Sequence, residues 1–118
     1  MNTTEIIDTY CLAWSDPDPV RRARHLNAVW SETAAYTDPG VHLVGAEALL
    51  DHVAGIMERR PGARVLRTGA IAAHHDVAMF RWAAIGPEGQ LFRSGVDFAT
   101  LNQEGDRLDR VIGFFDPA

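Results

Sequence analysis

The sequence predicts a single α+β domain in which helices precede an antiparallel sheet, and three observations predict it. Apolar residues recur at helical spacing in three stretches before Pro61-Gly62, and four runs with strand-like alternation follow from Arg64 onward. Clusters of Pro, Gly, Asn and Asp punctuate the chain between these stretches. The 118 residues suffice for one ordinary core and are too few for a core plus a second module, so one domain spans 1–118 and one site is sought.

Asn2 and, three residues on, Glu5 have the form of a capping pair. Ile6, Ile7, Tyr10, Cys11, Ala13 and Trp14 then follow at helical spacing, giving a first helix that runs to Trp14. Asp16-Pro17-Asp18-Pro19 breaks it, and Asp18 as cap with Pro19 in the first turn starts a second helix whose inward stripe is Ala23, Leu26 and Trp30. Residues 34–37 and 41–44 read as a short hairpin around Asp38-Pro39-Gly40. From Ala46, the stripe Leu49, His52, Val53, Ile56 and Met57 marks a third helix, ended by Pro61-Gly62 after Arg59-Arg60. The strands 64–73, 77–85, 90–101 and 107–115 complete an antiparallel meander. In the third of these, Phe92, Val96 and Phe98 share one face, and Leu91, Gly95, Asp97 and Ala99 the other. Both faces carry apolar groups. Three helices cover one, so the other calls for a second subunit, and a homodimer through the sheet is expected.

Composition narrows the function. A formal net charge of −5 lacks the basic footprint on which nucleic-acid binding relies. Every one of the cationic Lys or Arg positions is Arg, which removes lysine Schiff-base chemistry and a P-loop lysine. No run approaches the roughly 20 apolar residues of a membrane span. The opening Met1-Asn2-Thr3-Thr4-Glu5 has no basic n-region before an apolar run, so a cytoplasmic location is expected. The lone Cys11 sits on an amphipathic helix as a small hydrophobe and receives no catalytic role. His74 and His75 are adjacent at a strand end, where neighbours point to opposite faces, and His25, His42 and His52 are scattered without ligand spacing, so no metal is expected. Gly86-Pro87-Glu88-Gly89 leads into a strand and lacks a phosphate-loop pattern, so no nucleotide or other cofactor is implied.

Four pieces of the chain carry a resemblance. They are Tyr10 before Trp14 and an acidic break, Trp30-Ser31-Glu32-Thr33-Ala34-Ala35-Tyr36-Thr37-Asp38-Pro39, Gly95-Val96-Asp97-Phe98, and Val111-Ile112-Gly113-Phe114-Phe115. Together with the element order, over nearly the whole length, they resemble the nuclear transport factor 2-like superfamily, which includes SnoaL-like polyketide cyclases and ketosteroid isomerases. The resemblance implies a cone-shaped, curved antiparallel sheet wrapped around three N-terminal helices and enclosing an apolar pocket. Ketosteroid isomerases use a tyrosine on the first helix, an aspartate after the first strand and an aspartate on a later strand. Tyr10, Asp38 and Asp97 occupy similar places. That enzyme is itself a standard worked case of a carboxylate base opposite a Tyr plus neutral-Asp oxyanion hole, so these roles are carried over from it. Trp14, Met57, Trp82, Gly113 and Phe115 are the candidates for the pocket wall, with Arg81 and Trp82 facing opposite ways along their strand. The limonene-epoxide-hydrolase branch has an Arg-x-Asp pair where this chain reads Arg81-Trp82-Ala83, so the resemblance does not extend to epoxide opening.

Each residue also has a plainer reading. Asp38 before Pro39-Gly40 suits a turn that bonds its own backbone. Asp97 in a central strand needs a partner, and Arg81 or Arg93 would keep it ionised and unable to donate. Tyr10 and Trp14, at i and i+4, suit a core pair. The implied function is a cofactor-independent proton-transfer enzyme, an isomerase or cyclase acting on an apolar carbonyl-bearing small molecule, with Asp38 as base and Tyr10 and Asp97 stabilising an enolate. A non-catalytic pocket that binds an apolar metabolite, or an association module of the same fold, is compatible with the same residues.

Overall fold

The computed structural model describes residues 1–117. Three helices, α1 (Thr3–Ala13), α2 (Pro19–Val29) and α3 (Ala46–Arg59), pack on one face of a curved seven-stranded sheet. The strands are β1 (Trp30–Asp38), β2 (Val41–Val44), β3 (Arg64–Arg67), β4 (Ala72–His74), β5 (Val77–Ile85), β6 (Leu91–Leu101) and β7 (Leu108–Phe115). Their order is β2-β1-β7-β6-β5-β3, with β4 pairing β5 beyond β3. All pairs are antiparallel except β1 with β7.

The helix starts follow from local chemistry. The Asn2 side chain accepts from the Glu5 amide while Glu5 accepts from the Asn2 amide, closing a capping box. Asp18 caps α2 and Pro19 fills its first turn, where the missing N–H removes no bond. The inward residues of α2 are Arg22, Leu26 and Val29 rather than Ala23, Leu26 and Trp30. The reason is that α2 ends at Val29 and the chain turns straight into β1, so Trp30 opens a strand and stacks on Tyr10 at 5.7 Å. Buried Arg22 donates to the Asp16 and Pro17 carbonyls, which satisfies its charge without a carboxylate.

The stretch expected as one strand over 64–73 is two. Arg67 pairs with Trp82 and Ala72 with Met79, so four residues, 68–71, stand opposite only Phe80 and Arg81. The two extra residues bulge out around Gly69. Beyond β4, His75 (φ 48°) and Asp76 (φ 62°) form a two-residue hairpin turn in left-handed backbone. That turn brings the two Nδ1 atoms of His74 and His75 to 3.1 Å, whereas two residues of one strand would point apart.

Ile6, Ile7, Leu26, Val29, Leu49 and Val53 meet Phe80, Ala99 and Val111 in a closed core. Gly95 is obligatory there, because a Cβ would lie 2.1 Å from the Phe114 carbonyl oxygen and 2.8 Å from the Trp82 ring. On the outer face Met79, Phe98 and Phe114 remain substantially exposed. No helix of the described residues is long and apolar enough to cross a membrane.

Candidate active site

A cavity of about 210 Å³ opens between the inner face of the sheet and α3. Trp14 at the end of α1, His52, Val53 and Ile56 on α3, and Tyr36, Asp38, Trp82 and Phe115 on the sheet line it. A second space of about 30 Å³ lies behind Trp14, Tyr36, Val65 and Trp82, which wall both, and it is closed by Tyr10, Cys11, Phe80 and Asp97. It is large enough for a water or an oxygen-bearing group, since a cavity needs only about 10–15 Å³ to hold one water.

Asp38 ends β1 on the same strand face as Tyr36. Its Oδ1 accepts from the Gly40 and Val41 amides at 2.8 and 3.1 Å, and its Oδ2 accepts from the Tyr36 hydroxyl at 2.8 Å. The turn reading of Asp38 and its place on the cavity wall are therefore both realised, by different oxygens. Burial and the bond to Asp38 push the Tyr36 hydroxyl far above its ordinary range, so it stays protonated and donates.

Asp97 presents the opposite environment. It is 6% exposed, and among the described residues it accepts no hydrogen bond and makes no ion pair. The expected partners are engaged elsewhere: Arg81 reaches Asp116, and Arg93 lies over the Phe115 ring. Burial, with a smaller contribution from the charge of Asp38, pushes the Asp97 carboxyl up to about 7, against the pull of the Trp82 indole N–H. That N–H is near the carboxyl without meeting hydrogen-bond geometry. Burial thus keeps the protonated, donating form of Asp97 to a much higher pH than an exposed aspartate would hold it.

Tyr10 lies beside Asp97 with its hydroxyl unpaired. Burial above all, then the nearby Asp97 charge, raises its pKa, so it too keeps its proton. Trp14 Nε1 and Trp82 Nε1 are likewise buried and unpaired. Two donors without partners, the Tyr10 hydroxyl and the Trp82 indole N–H, beside one buried carboxyl are unusual, because an unsatisfied buried polar group costs about 1–3 kcal/mol. Cys11, at the edge of the same space, is pushed up to about 12 by burial, so its thiol is un-ionised at neutral pH.

Gly113 ties the two aspartates together. It pairs with Asp97 across β6 and β7, and a Cβ there would sit 2.9 Å from Asp97 Oδ1, 3.5 Å from the Tyr36 hydroxyl and 3.6 Å from Asp38 Cβ. Only glycine lets the three side chains crowd over one backbone atom.

Trp14, Trp82 and Phe115 line the main cavity, while Tyr10 and Asp97 line only the space behind it. Met57, expected on the wall, lies elsewhere: its sulfur is 3.0 Å from Arg22 Nη1, and its side chain borders a separate cleft with Ser15 and Pro17. The α3 stripe is wider than the cavity, and Met57 falls on its α2 side. Two site residues were not singled out from the sequence. Tyr36 was signalled by its i, i+2 relation to Asp38, and His52, edge-on to Trp14 at 5.9 Å, by being a histidine inside an apolar stripe. Among the described residues no group of three or more His, Cys, Asp or Glu is gathered as a metal site.

No protein-family model matches the sequence, and no curated protein matches it. Solved structures do. A proposed isomerase of the SnoaL-like family from Agrobacterium tumefaciens superposes with a TM-score of 0.88 at 32% identity, over 97% of each chain. A proposed polyketide cyclase from Sinorhizobium meliloti superposes at 0.71 with 18% identity, over 92% of this chain and 93% of that one. An NTF2-like protein of unknown function from Exiguobacterium sp. 255-15 gives 0.75 and 18%, over 96% and 99%. The two more distant likenesses show the fold alone.

Proposed function

Because the chain belongs to the SnoaL-like family, we propose that it is a cofactor-independent proton-transfer enzyme, an isomerase or cyclase of a small apolar carbonyl compound. The observation that carries this reading is the contrast between its two aspartates. Asp38 is held by three donors on the cavity wall, and Asp97 has none in a buried space beside the unpaired Tyr10 hydroxyl. Carboxyls whose surroundings differ so sharply are suited to opposite roles, one as base and one as neutral donor.

In the proposed step the substrate carbonyl oxygen enters the space lined by Tyr10, Asp97 and Trp82. The Asp38 carboxylate takes a proton from the adjacent carbon; that C–H electron pair becomes the C=C bond of an enolate, and the former carbonyl π pair moves onto oxygen. Protonated Asp97 and Tyr10 donate to that oxygen where the charge develops. Isomerisation follows if Asp38 returns the proton to a different carbon, and cyclisation follows if the enolate carbon attacks a second carbonyl. The apolar wall of Trp14, Val53, Trp82 and Phe115 excludes water from the intermediate.

The test is exchange of the proton beside the carbonyl in D2O, followed by NMR on small cyclic ketones such as 2-tetralone. Protein-dependent exchange supports the reading, and exchange at the buffer rate across such a panel counts against it.

The proposal also includes a homodimer through the outer sheet face, supported by the exposed Met79, Phe98 and Phe114. Sedimentation equilibrium is expected to give a dimer, and Phe98→Glu a folded monomer; a monomeric native chain would remove the proposal.

A further inference from the structure

The rim of the cavity is cationic on a protein whose formal net charge is −5. Arg60, Arg64 and Arg93 line it, and all three are solvent-exposed. Two are fixed by aromatic supports: the Arg60 guanidinium sits 4.3 Å over the Phe92 ring, and that of Arg93 sits 4.3 Å over the Phe115 ring. Stacking on the ring faces leaves the guanidinium edges, with their N–H donors, unspent. Among the described residues none of the three makes an ion pair or a side-chain hydrogen bond, although Arg21, Arg67, Arg81 and Arg107 each pair with a carboxylate. Phe92 reaches the rim through a bulge: Ile85 pairs with Leu91 and Ala84 with Arg93, leaving Phe92 as the extra residue.

Cations gathered at one mouth repel one another, and an anion bridging them relieves that repulsion while taking charge-assisted hydrogen bonds. The cavity beneath is about 210 Å³, below the roughly 300–1,000 Å³ of pockets that enclose drug-sized ligands. A small acyl or ring body fits inside, and whatever it carries projects among the arginines.

We infer that the ligand of this cavity is amphiphilic, an apolar carbonyl body bearing a carboxylate or phosphate that the ring-supported Arg60 and Arg93 bind at the rim. This rests on the proposed use of the cavity as a carbonyl site and adds the class of substrate to it.

Three fluorescent probes share one ring system: 2-naphthol, 6-hydroxy-2-naphthoate, and the monophosphate of 2,6-dihydroxynaphthalene. Each is titrated into the native protein, the Arg60→Gln/Arg93→Gln variant and Asp97→Asn. The readout is the ratio of anionic-probe to naphthol affinity within each protein. In the native protein one of the anions is expected to bind about tenfold tighter than naphthol, a gain consistent with two partly exposed ion pairs. The ratio is expected to fall to about unity in the double variant and at high salt. The favoured anion identifies carboxylate or phosphate as the rim's ligand. Equal affinities in the native protein, a preference that survives loss of both arginines, or no binding of any probe overturns the inference. The Asp97→Asn arm separates the two claims: an arginine-dependent ratio with no response to Asp97 keeps the anionic ligand and removes the enolate mechanism. An Asp97 response without anion preference does the reverse.

Discussion

Asparagine in place of Asp38 is expected to slow carbonyl-adjacent proton exchange about a thousandfold, within the range a positioned general base contributes. The substitution isolates the base because it preserves the rest of the turn. An amide oxygen can still accept from the Gly40 and Val41 amides, which the Asp38 Oδ1 now serves, so β1 and β2 stay joined. What changes is Oδ2, the oxygen held by Tyr36, which becomes an amide nitrogen unable to take a proton. Ligand affinity measured with 2-naphthol is expected to stay within a few-fold of native. Exchange that persists at the native rate in Asp38→Asn removes this residue as the base.

A second large effect is expected on stability. In the fold the Asp97 carboxyl ionises near pH 7, against an ordinary value of 3.8. Below about pH 4 the group is neutral in the folded and unfolded states alike, and it adds no pH-dependent penalty. As pH rises from about 4 to 7 the unfolded chain releases this proton while the folded chain retains it, so stability falls with pH; above 7 the loss is complete. At about 1.4 kcal/mol per pH unit, the gap corresponds to roughly 4 kcal/mol. Asp97→Asn cannot ionise and is expected to escape this loss, so urea titrations should show it more stable than the native protein at pH 8 by up to roughly 4 kcal/mol. The difference should shrink steadily towards pH 4. Parallel stability curves for the two proteins would mean that Asp97 is not held neutral by its site.

The sequence is most legible where the signal is local. Asn2 with Glu5, Asp18 with Pro19, and the turn after Asp38 each specify their own hydrogen bonds, and the corresponding element ends match the structure. The run 77–85 is β5 to the residue. Legibility fails where pairing decides. No breaker separates Val29 from Trp30, so the helix-to-strand change there answers to the register of Trp30 opposite Leu108 in a strand 78 positions later. The parallel pairing of β1 with β7 and the split of β3 from β4 are likewise set by partners distant in sequence.

The candidate site divides the same way. Asp38, Trp14, Trp82 and Phe115 come to one cavity, and alternation along β1 puts Tyr36 beside Asp38 by a rule readable from the residues alone. That Trp82 rather than Arg81 faces inward depends on which side of β5 the helices cover. The arginines of the rim were invisible because their meeting joins the end of α3, the start of β3 and a bulged β6. Met57 was misplaced because a helical stripe gives a face and not the edge at which a cavity stops.

The central claim is that Asp97 and Tyr10 form a site for a developing oxyanion. Titration of the native protein and of Asp97→Asn with fluorescent 2-naphthol, a planar mimic of an enolate, reads that site directly, with the bound spectrum recorded across pH. The expected result is a bound naphthol with strongly hydrogen-bonded or anionic emission in the native protein, weakening above pH 7 as Asp97 loses its proton and altered in Asp97→Asn. Binding that is absent, or a bound spectrum identical in the two proteins at every pH, would contradict the account, and the second of these would leave the cavity as a site for binding alone.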